Sequence, residues 1–144
     1  MRKKNISLLI LLSFLLISGT YIYFKVSKKA SINMVSATTS YTINSDDLVS
    51  NFITDETLTN KKFAGEIIEI TGKVKEVSFL NNTNTVIIFG DENSGIICDF
   101  NNKQTEEIKA LTKNQTVTIK GICKGFLKDV ILLNCLLITK QPNE

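Results

Sequence analysis

Residues 116–123 read Thr-Val-Thr-Ile-Lys-Gly-Ile-Cys, and residues 130–138 read Val-Ile-Leu-Leu-Asn-Cys-Leu-Leu-Ile. In the first run, apolar residues and glycine alternate with polar residues, which is the period of a strand with one buried face. The second run is almost entirely apolar, which predicts a strand covered on both faces. Gly125 to Asp129 turn the chain between them. The two runs therefore predict neighbouring strands of a β-rich domain.

Three further strands and two helices are predicted upstream of this pair. Gly72 interrupts the first of these strands, as a bulge or a sharp bend would. The first helix has Leu48 and Phe52 on one side, and it is the obvious cover for the apolar strand at 130–138. We interpret Asp46, Asp47, Asp55 and Glu56 as capping and solvated residues, because acidic residues are expected where helices start. The predicted strands span 65–77, 85–89 and 96–100, and the predicted helices begin near Asn44 or Ser45 and at Lys103.

The order of these elements is β-β-β-α-β-β after one N-terminal helix. This is the order of an OB-fold, a five-stranded Greek-key barrel, so we expect an all-β domain with small helices. A five-stranded sheet with flanking helices stays open as the alternative, because a sequence pattern does not reveal the order of strands in a sheet.

Ile6 to Phe24 is a run of nineteen residues without a charge. As a helix it would span roughly 28 Å, close to the hydrocarbon thickness of a bilayer. A cleaved signal peptide has a shorter apolar region, and the nearest small-residue site, Val35 to Ala37, lies more than ten residues beyond the run. A buried core helix is less favoured because no face of the run is polar. The sequence therefore predicts one transmembrane helix.

The predicted organisation has four parts. Residues 1–29 are the anchor with its basic flanks, 30–42 a linker, 43–140 the OB-fold domain and 141–144 a tail. Three basic residues flank the apolar run on each side, so orientation rests on the preference of short basic N-terminal tails for the cytoplasm. We expect a single-pass membrane protein with its N-terminus in the cytoplasm and its domain outside.

Net charge separates the anchor from the domain. The chain carries +3 overall, but residues 31–144 hold 11 basic and all 14 acidic residues, a net charge of −3. A general nucleic-acid binder needs a basic surface that displaces counterions from phosphates. Nucleic acid is therefore an unfavoured partner for this domain.

Several segments together resemble the bacterial tRNA_anti-like family over roughly residues 41–140. The most specific is Gly121-Ile-Cys-Lys-Gly125 with the later Asn134-Cys135, supported by Gly65 to Gly72 and Ile97 to Phe100. The resemblance implies an OB-fold domain in the bacterial cell envelope, in a lipoprotein or a membrane-anchored protein. It implies no catalytic residues and no cofactor. One departure is that no lipidation cysteine follows the apolar run.

The chemical inventory is small. The chain has no histidine, which excludes histidine-based acid–base catalysis, Ser-His and Cys-His nucleophile pairs and histidine metal ligands. There is no glycine-rich phosphate loop. We expect neither an enzyme nor a metal or cofactor site.

The three cysteines, Cys98, Cys123 and Cys135, fall on three different strands, and no pair has Cys-x-x-Cys spacing. They are either small buried residues or the source of one disulfide, which an extracytoplasmic location would allow. Cys123 and Cys135 are the candidate pair because their strands are neighbours. A tight turn would place them about four residues out of register, so this bridge would need a bulge or a longer loop.

OB-folds usually bind ligands on their second and third strands and on two of their loops. The candidate ligand-binding residues here are Ile97, Asp99, Lys124, Phe126 and Lys128. Phe126 is the candidate for stacking, although a loop residue folded over the end of the barrel is the simpler interpretation. We expect a membrane-anchored binding module for a protein, peptide or saccharide. The alternative is an OB-fold that binds single-stranded nucleic acid or an oligosaccharide.

Overall fold

The computed structural model describes residues 13, 16–20, 33–80, 83–88, 94–100 and 104–140. The domain begins at Asn33, and its elements follow one another in the chain with short connections. These elements are β1 Tyr41–Asn44, α1 Ser45–Thr54, α2 Glu56–Phe63, β2 Ile67–Leu80, β3 Thr83–Ile88, β4 Ile96–Phe100, α3 Thr105–Lys109, β5 Thr116–Phe126 and β6 Val130–Lys140.

The strands β2 to β6 each pair with two other strands of this set of five. β2 pairs with β5 through its first half and with β3 through its second half, both antiparallel. β3 then pairs with β4, β4 runs parallel to β6, and β6 pairs antiparallel with β5. These pairings agree with the OB-fold order, so the predicted β-β-β-α-β-β succession is confirmed.

The short strand β1 was not predicted. It runs parallel to β2, with Tyr41 opposite Ile68 and Asn44 opposite Thr71. Just before it, the Ser40 N–H donates to the Ile67 carbonyl oxygen at 2.8 Å. The end of the segment that we interpreted as a linker therefore packs on the domain.

Residues 33–40 extend this contact, and we call them the strap. Met34 in the strap is buried. The Lys120 ammonium on β5 donates to the Ala37 carbonyl oxygen at 2.5 Å. Lys120 is consequently only 9% exposed, and its neighbour on the same strand face, Ile122, is also buried. The strap thus covers part of β5 on the side that carries Lys120.

The irregularity in β2 lies three residues beyond the predicted position. Gly72 pairs regularly with Val117 on β5. The register shifts instead between Val74 and Glu76, where β2 passes from its pairing with β5 to its pairing with β3. An extra residue, Lys75, at this junction gives the strand the additional twist that such a change of partner requires.

The two N-terminal helices contribute four residues to a continuous core: Leu48, Val49 and Phe52 from α1, and Phe63 from α2. Asp55 caps α2, because its carboxylate accepts from the Leu58 N–H at 2.9 Å. α1 lies against α2, β1 and β2, and α2 also lies against β5. The expectation that α1 covers the strand at 130–138 is therefore wrong.

A second irregularity lies in β6. Cys98 pairs with Leu132 and Phe100 with Cys135, so Leu133 and Asn134 together stand opposite Asp99. Asn134 adopts a φ of 54°, in the left-handed region that asparagine tolerates better than most residues. With one extra residue, both Leu132 and Cys135 are buried although three positions separate them. Because of the bulge, the side chain of Cys135 faces the core, as that of Leu132 does.

The predicted anchor at 1–29 lies mostly outside the described residues. Only Ser13 and residues 16–20 of it are described, and they are helical. Within the described ranges, no helix has the length and apolar character needed to cross a bilayer.

Candidate ligand-binding face

The outer surface of β4 and β6 is apolar and incompletely covered. Along β4 the side chains of Ile96, Cys98 and Phe100 are buried, whereas Ile97 and Asp99 point the other way and are half-buried. Along β6, the half-buried Ile131 and Leu133 alternate with the buried Val130 and Leu132. We call Ile97, Asp99, Ile131 and Leu133 the outer face.

The pairing of β4 with β6 places residues of the outer face opposite one another. Ile97 stands directly opposite Ile131 on the parallel strand. On its other side, β4 pairs with β3, which places Ile97 opposite Ile87 and Asp99 opposite Thr85. Rows of directly opposed residues share one face of a sheet. Ile97 and Asp99 of the predicted ligand-binding set therefore lie on one face of β4, next to Ile131 of β6.

Asp99 is the polar centre of the outer face. Its Oδ1 atom is buried and has no hydrogen-bond partner among the described residues. The bulge of β6 lies directly across from it. A shielded carboxylate oxygen without a donor loses hydration without compensation, at a cost of about 1–3 kcal/mol. A ligand that donates an N–H or O–H group would recover that loss once the Asp99 side chain turned to bring this oxygen to the surface.

Phe126 has a different position from the predicted one. It is the last residue of β5 and belongs to no loop. Its ring stacks on Phe52 of α1, with centroids 5.6 Å apart and an interplanar angle of 15°. The ring is half-buried against the core. The structure thus matches the simpler interpretation, in which Phe126 closes the end of the domain, and it differs from the expectation of a ring free to stack on a ligand.

The predicted lysines are exposed, but they do not form a groove with Lys120. Lys124 at the end of β5 and Lys128 in the following turn are both exposed. Lys120 donates to the strap and is buried beneath it. A basic groove that includes Lys120 would require the strap to detach.

The three cysteines are buried free thiols. Cys123 pairs with Leu132, three residues from Cys135, so the candidate Cys123–Cys135 pair is not brought together. Cys135 interacts instead with Cys98 on β4. Burial raises the pKa of the Cys135 thiol well above its usual value, and the hydrogen bond and charge of Cys98 raise it further. Burial also raises the pKa of Cys123, partly offset by a hydrogen bond from the backbone of Gly125.

Among the described residues, no group of three or more acidic or cysteine side chains is placed to hold a metal ion. A separate cleft of about 570 Å³ opens beside the start of α1. Its lining residues include three charged ones, Asp46, Asp47 and Lys73, and none of the large hydrophobic residues that usually dominate ligand pockets. It is lined by Asn44, Ser45, Asp46, Asp47, Thr71, Gly72, Lys73, Asn114 and Thr116.

Sequence reasoning missed two members of the outer face, Ile131 and Leu133. Their signal was present in the unbroken apolar run of β6, which we interpreted as a strand covered on both sides. The run is correctly a strand, but α1 packs elsewhere, and the outward side chains are left half-buried.

Comparison with known proteins supports the fold. A family model described as tRNA_anti-like matches residues 1–137. A crystal structure of a proposed nucleic acid-binding lipoprotein from Klebsiella pneumoniae is similar with a TM-score of 0.54 and 13% identity, covering 68% of this chain and 92% of that one. At this identity the similarity shows the fold alone. Comparison with curated proteins finds no match.

Two weaker similarities have TM-scores below 0.5. One is to an OBody bound to hen egg-white lysozyme, with a TM-score of 0.43 and 13% identity over 56% of this chain and 88% of that one. The other is to an asparaginyl-tRNA synthetase from Entamoeba histolytica, with a TM-score of 0.42 and 14% identity over 56% of this chain and 22% of that one.

Proposed function

The chain belongs to the tRNA_anti-like family, and from this premise we propose that it is a binding module that holds a polypeptide partner on its outer face. The observation that carries the proposal is the half-buried aliphatic group of Ile97, Ile131 and Leu133 on the face that also holds Asp99, whose Oδ1 atom has no hydrogen-bond partner among the described residues. Aliphatic residues around one buried acceptor suit an extended polypeptide, which offers apolar side chains and backbone N–H donors together.

The same face suits the other two ligand classes less well. Non-specific binders of single-stranded nucleic acid combine a positively charged groove with aromatic platforms. No described residue of the outer face is aromatic, Phe126 is stacked on Phe52, and a carboxylate lies at the centre. A saccharide would also gain from an aromatic ring against its apolar face, and the described part of this surface offers none.

Nucleic acid remains the second candidate, because the similar Klebsiella pneumoniae lipoprotein is described as a proposed nucleic acid binder. We expect the full-length protein to bind single-stranded DNA or RNA no more tightly than about 10⁻⁴ M at physiological salt, as non-specific binders do. Fluorescence anisotropy with a labelled oligonucleotide measures this. Micromolar affinity that falls steeply with salt would favour the nucleic-acid function instead.

The proposed setting is the membrane. Support comes from the nineteen uncharged residues Ile6 to Phe24 with basic residues on both sides. The match to the family model also begins at residue 1, so the apolar segment belongs to the matched pattern. We place the domain outside the cytoplasm, on the preference of short basic tails for the cytoplasmic side. Binding without catalysis is part of the proposal, because the chain has no histidine and no recognised catalytic motif.

Site-specific photocrosslinking in cells tests the polypeptide partner. Full-length protein would carry benzoylphenylalanine at Ile131 of the outer face or, as a control, at the exposed Glu107 of α3. We expect a discrete crosslinked protein from position 131 and none from position 107. A third protein, with the probe at position 131 and the substitution Asp99→Ala, should lose most of the crosslink. Equal labelling from both positions, or crosslinks to nucleic acid, would contradict the proposal.

A further inference from the structure

The turn between β5 and β6 exposes one large aliphatic side chain between two lysines. Leu127 is 84% exposed, more than any other large apolar residue described. Lys124 and Lys128 are exposed on either side of it. The five residues 124–128 thus form a convex tip with an apolar end and a basic rim, and we call them the turn tip.

The turn tip is held rigidly in this shape. Gly125 has a φ of 108°, in the left-handed region that glycine tolerates. Phe126 is fixed by its stack on Phe52, and the Leu127 N–H donates to the Asp129 carbonyl oxygen at 3.2 Å. Because its neighbours are fixed, Leu127 is held outward and away from the core.

Among the described residues, the acidic residue of the turn makes no ion pair with the lysines of the turn tip. The Asp129 carboxylate accepts from the Gly95 N–H at 2.7 Å and is directed toward the loop before β4. This hydrogen bond fixes the Asp129 side chain on the backbone of that loop.

We propose that the turn tip is a lipid-contact site, with Leu127 entering the interface of an anionic bilayer and Lys124 and Lys128 bound to headgroup phosphates. A single aliphatic residue on a convex tip has little to pack against on a rigid protein surface, whereas a bilayer interface deforms around it. Lysines near an anionic membrane surface add attraction to that apolar contact. The inference rests on the proposed membrane attachment, because a contact this small is weak alone and becomes effective when a tether raises its local concentration.

The chain contains no tryptophan, so a single introduced tryptophan reports its own surroundings. Full-length protein with Leu127→Trp is reconstituted into vesicles of phosphatidylcholine with an equal share of phosphatidylglycerol, and brominated lipid is used as the quencher. The matched control is Lys113→Trp, because residue 113 is also exposed but precedes the opposite end of β5. Thermal melts confirm that both variants fold.

We expect the tryptophan emission of the Leu127→Trp protein to be quenched several-fold more than that of the Lys113→Trp protein. This excess should vanish in pure phosphatidylcholine or with Lys124→Gln and Lys128→Gln. Equal quenching at the two positions, or quenching that ignores lipid charge, overturns the lipid-contact site. Flotation of the vesicles reports the anchor separately. If the chain does not float, an N-terminal hexahistidine tag tethers the full-length protein to vesicles of the same composition that contain a nickel-chelating lipid. Absence of excess quenching at position 127 in this tethered protein also overturns the lipid-contact site.

Discussion

Gly121 on β5 and Cys135 on β6 approach so closely that a Cβ atom on residue 121 would lie 2.8 Å from the Cys135 Sγ atom. It would also lie 3.3 Å from the Leu132 Cβ atom. Gly121 therefore faces a crowded part of the interior, in agreement with its place on the apolar side of the alternating run 116–123. The absence of a side chain at residue 121 is what allows the bulge of β6 to direct the thiol inward.

Gly121→Ala should destabilise the protein by about 1–3 kcal/mol, and Gly121→Val by at least as much, because both overpack this contact. In a Cys135→Ala background the cost of Gly121→Ala should be smaller, since the nearest atom has been removed. The Leu132 contact remains, so the cost should not disappear. Chemical denaturation of the four proteins of this cycle gives the coupling free energy. Additive effects would show that the two residues do not share a contact.

The buried thiols predict slow modification in the native protein. Burial raises the pKa values of Cys123 and Cys135, so little thiolate forms at neutral pH. We expect a thiol reagent to label neither residue rapidly until a denaturant is added. Mass spectrometry after timed labelling measures each site. Rapid labelling of native Cys135 at neutral pH would contradict its placement.

The same shift predicts a dependence of stability on pH. A thiol with a raised pKa in the folded state keeps its proton there longer than in the unfolded state. The contribution of the protonated Cys135 thiol to the free energy of unfolding is fully present below the ordinary pKa of 9.0. It is lost as the pH rises above that value. The free energy of unfolding should therefore fall more steeply above pH 9.0 in the native sequence than in Cys135→Ala. Lysine and tyrosine titrations are common to both proteins and cancel in the comparison.

Phe126→Ala should act on stability and leave ligand binding largely unchanged. Loss of the stack on Phe52 should cost up to about 3 kcal/mol, at the lower end for a large aromatic core residue because the ring is only half-buried. Lys128→Ala in the same turn is the control and should leave the melting temperature within about 1 °C, since that side chain is exposed. An unchanged melting curve for Phe126→Ala would mean that the stack is not part of the folded protein.

The proposed membrane anchor predicts the behaviour of the whole chain in cells. The protein should sediment with membranes, resist carbonate extraction and keep residues 1–30 in its mature form. Protease added to intact cells or spheroplasts should digest the domain if it lies outside. A mature N-terminus near Thr38 would show instead that the apolar segment is a cleaved signal peptide.

The strands were predictable where alternation or glycine marks a local pattern, as in Thr116 to Cys123. β1 was missed because four residues carry no period, and a parallel pairing with β2 depends on a partner more than twenty residues away. The bulge at Asn134 shows in the sequence only as one polar residue within an apolar run. The effect of the bulge depends on the neighbouring strands, β4 and β5, and the sequence pattern does not reveal which strands are neighbours.

The outer face was only half predictable for the same reason. Ile97 and Asp99 follow from the alternation of β4, so the OB-fold analogy selected them. Phe126 was selected because it follows a glycine near a turn, and the sequence does not reveal that Phe52 stacks on its ring. Lys120 occupies a polar position of the alternating run, where a lysine is usually solvated. Only the path of the strap explains its burial.

The parallel strand β1 has a mechanical consequence. Four consecutive residues of β1 stand beside four of β2, so a pull transmitted along β1 loads all of their hydrogen bonds in shear at once. Bonds loaded together resist extension better than bonds peeled open one by one. The part of the chain that enters the domain from residue 33 is thus built to bear tension before the core of the domain is strained.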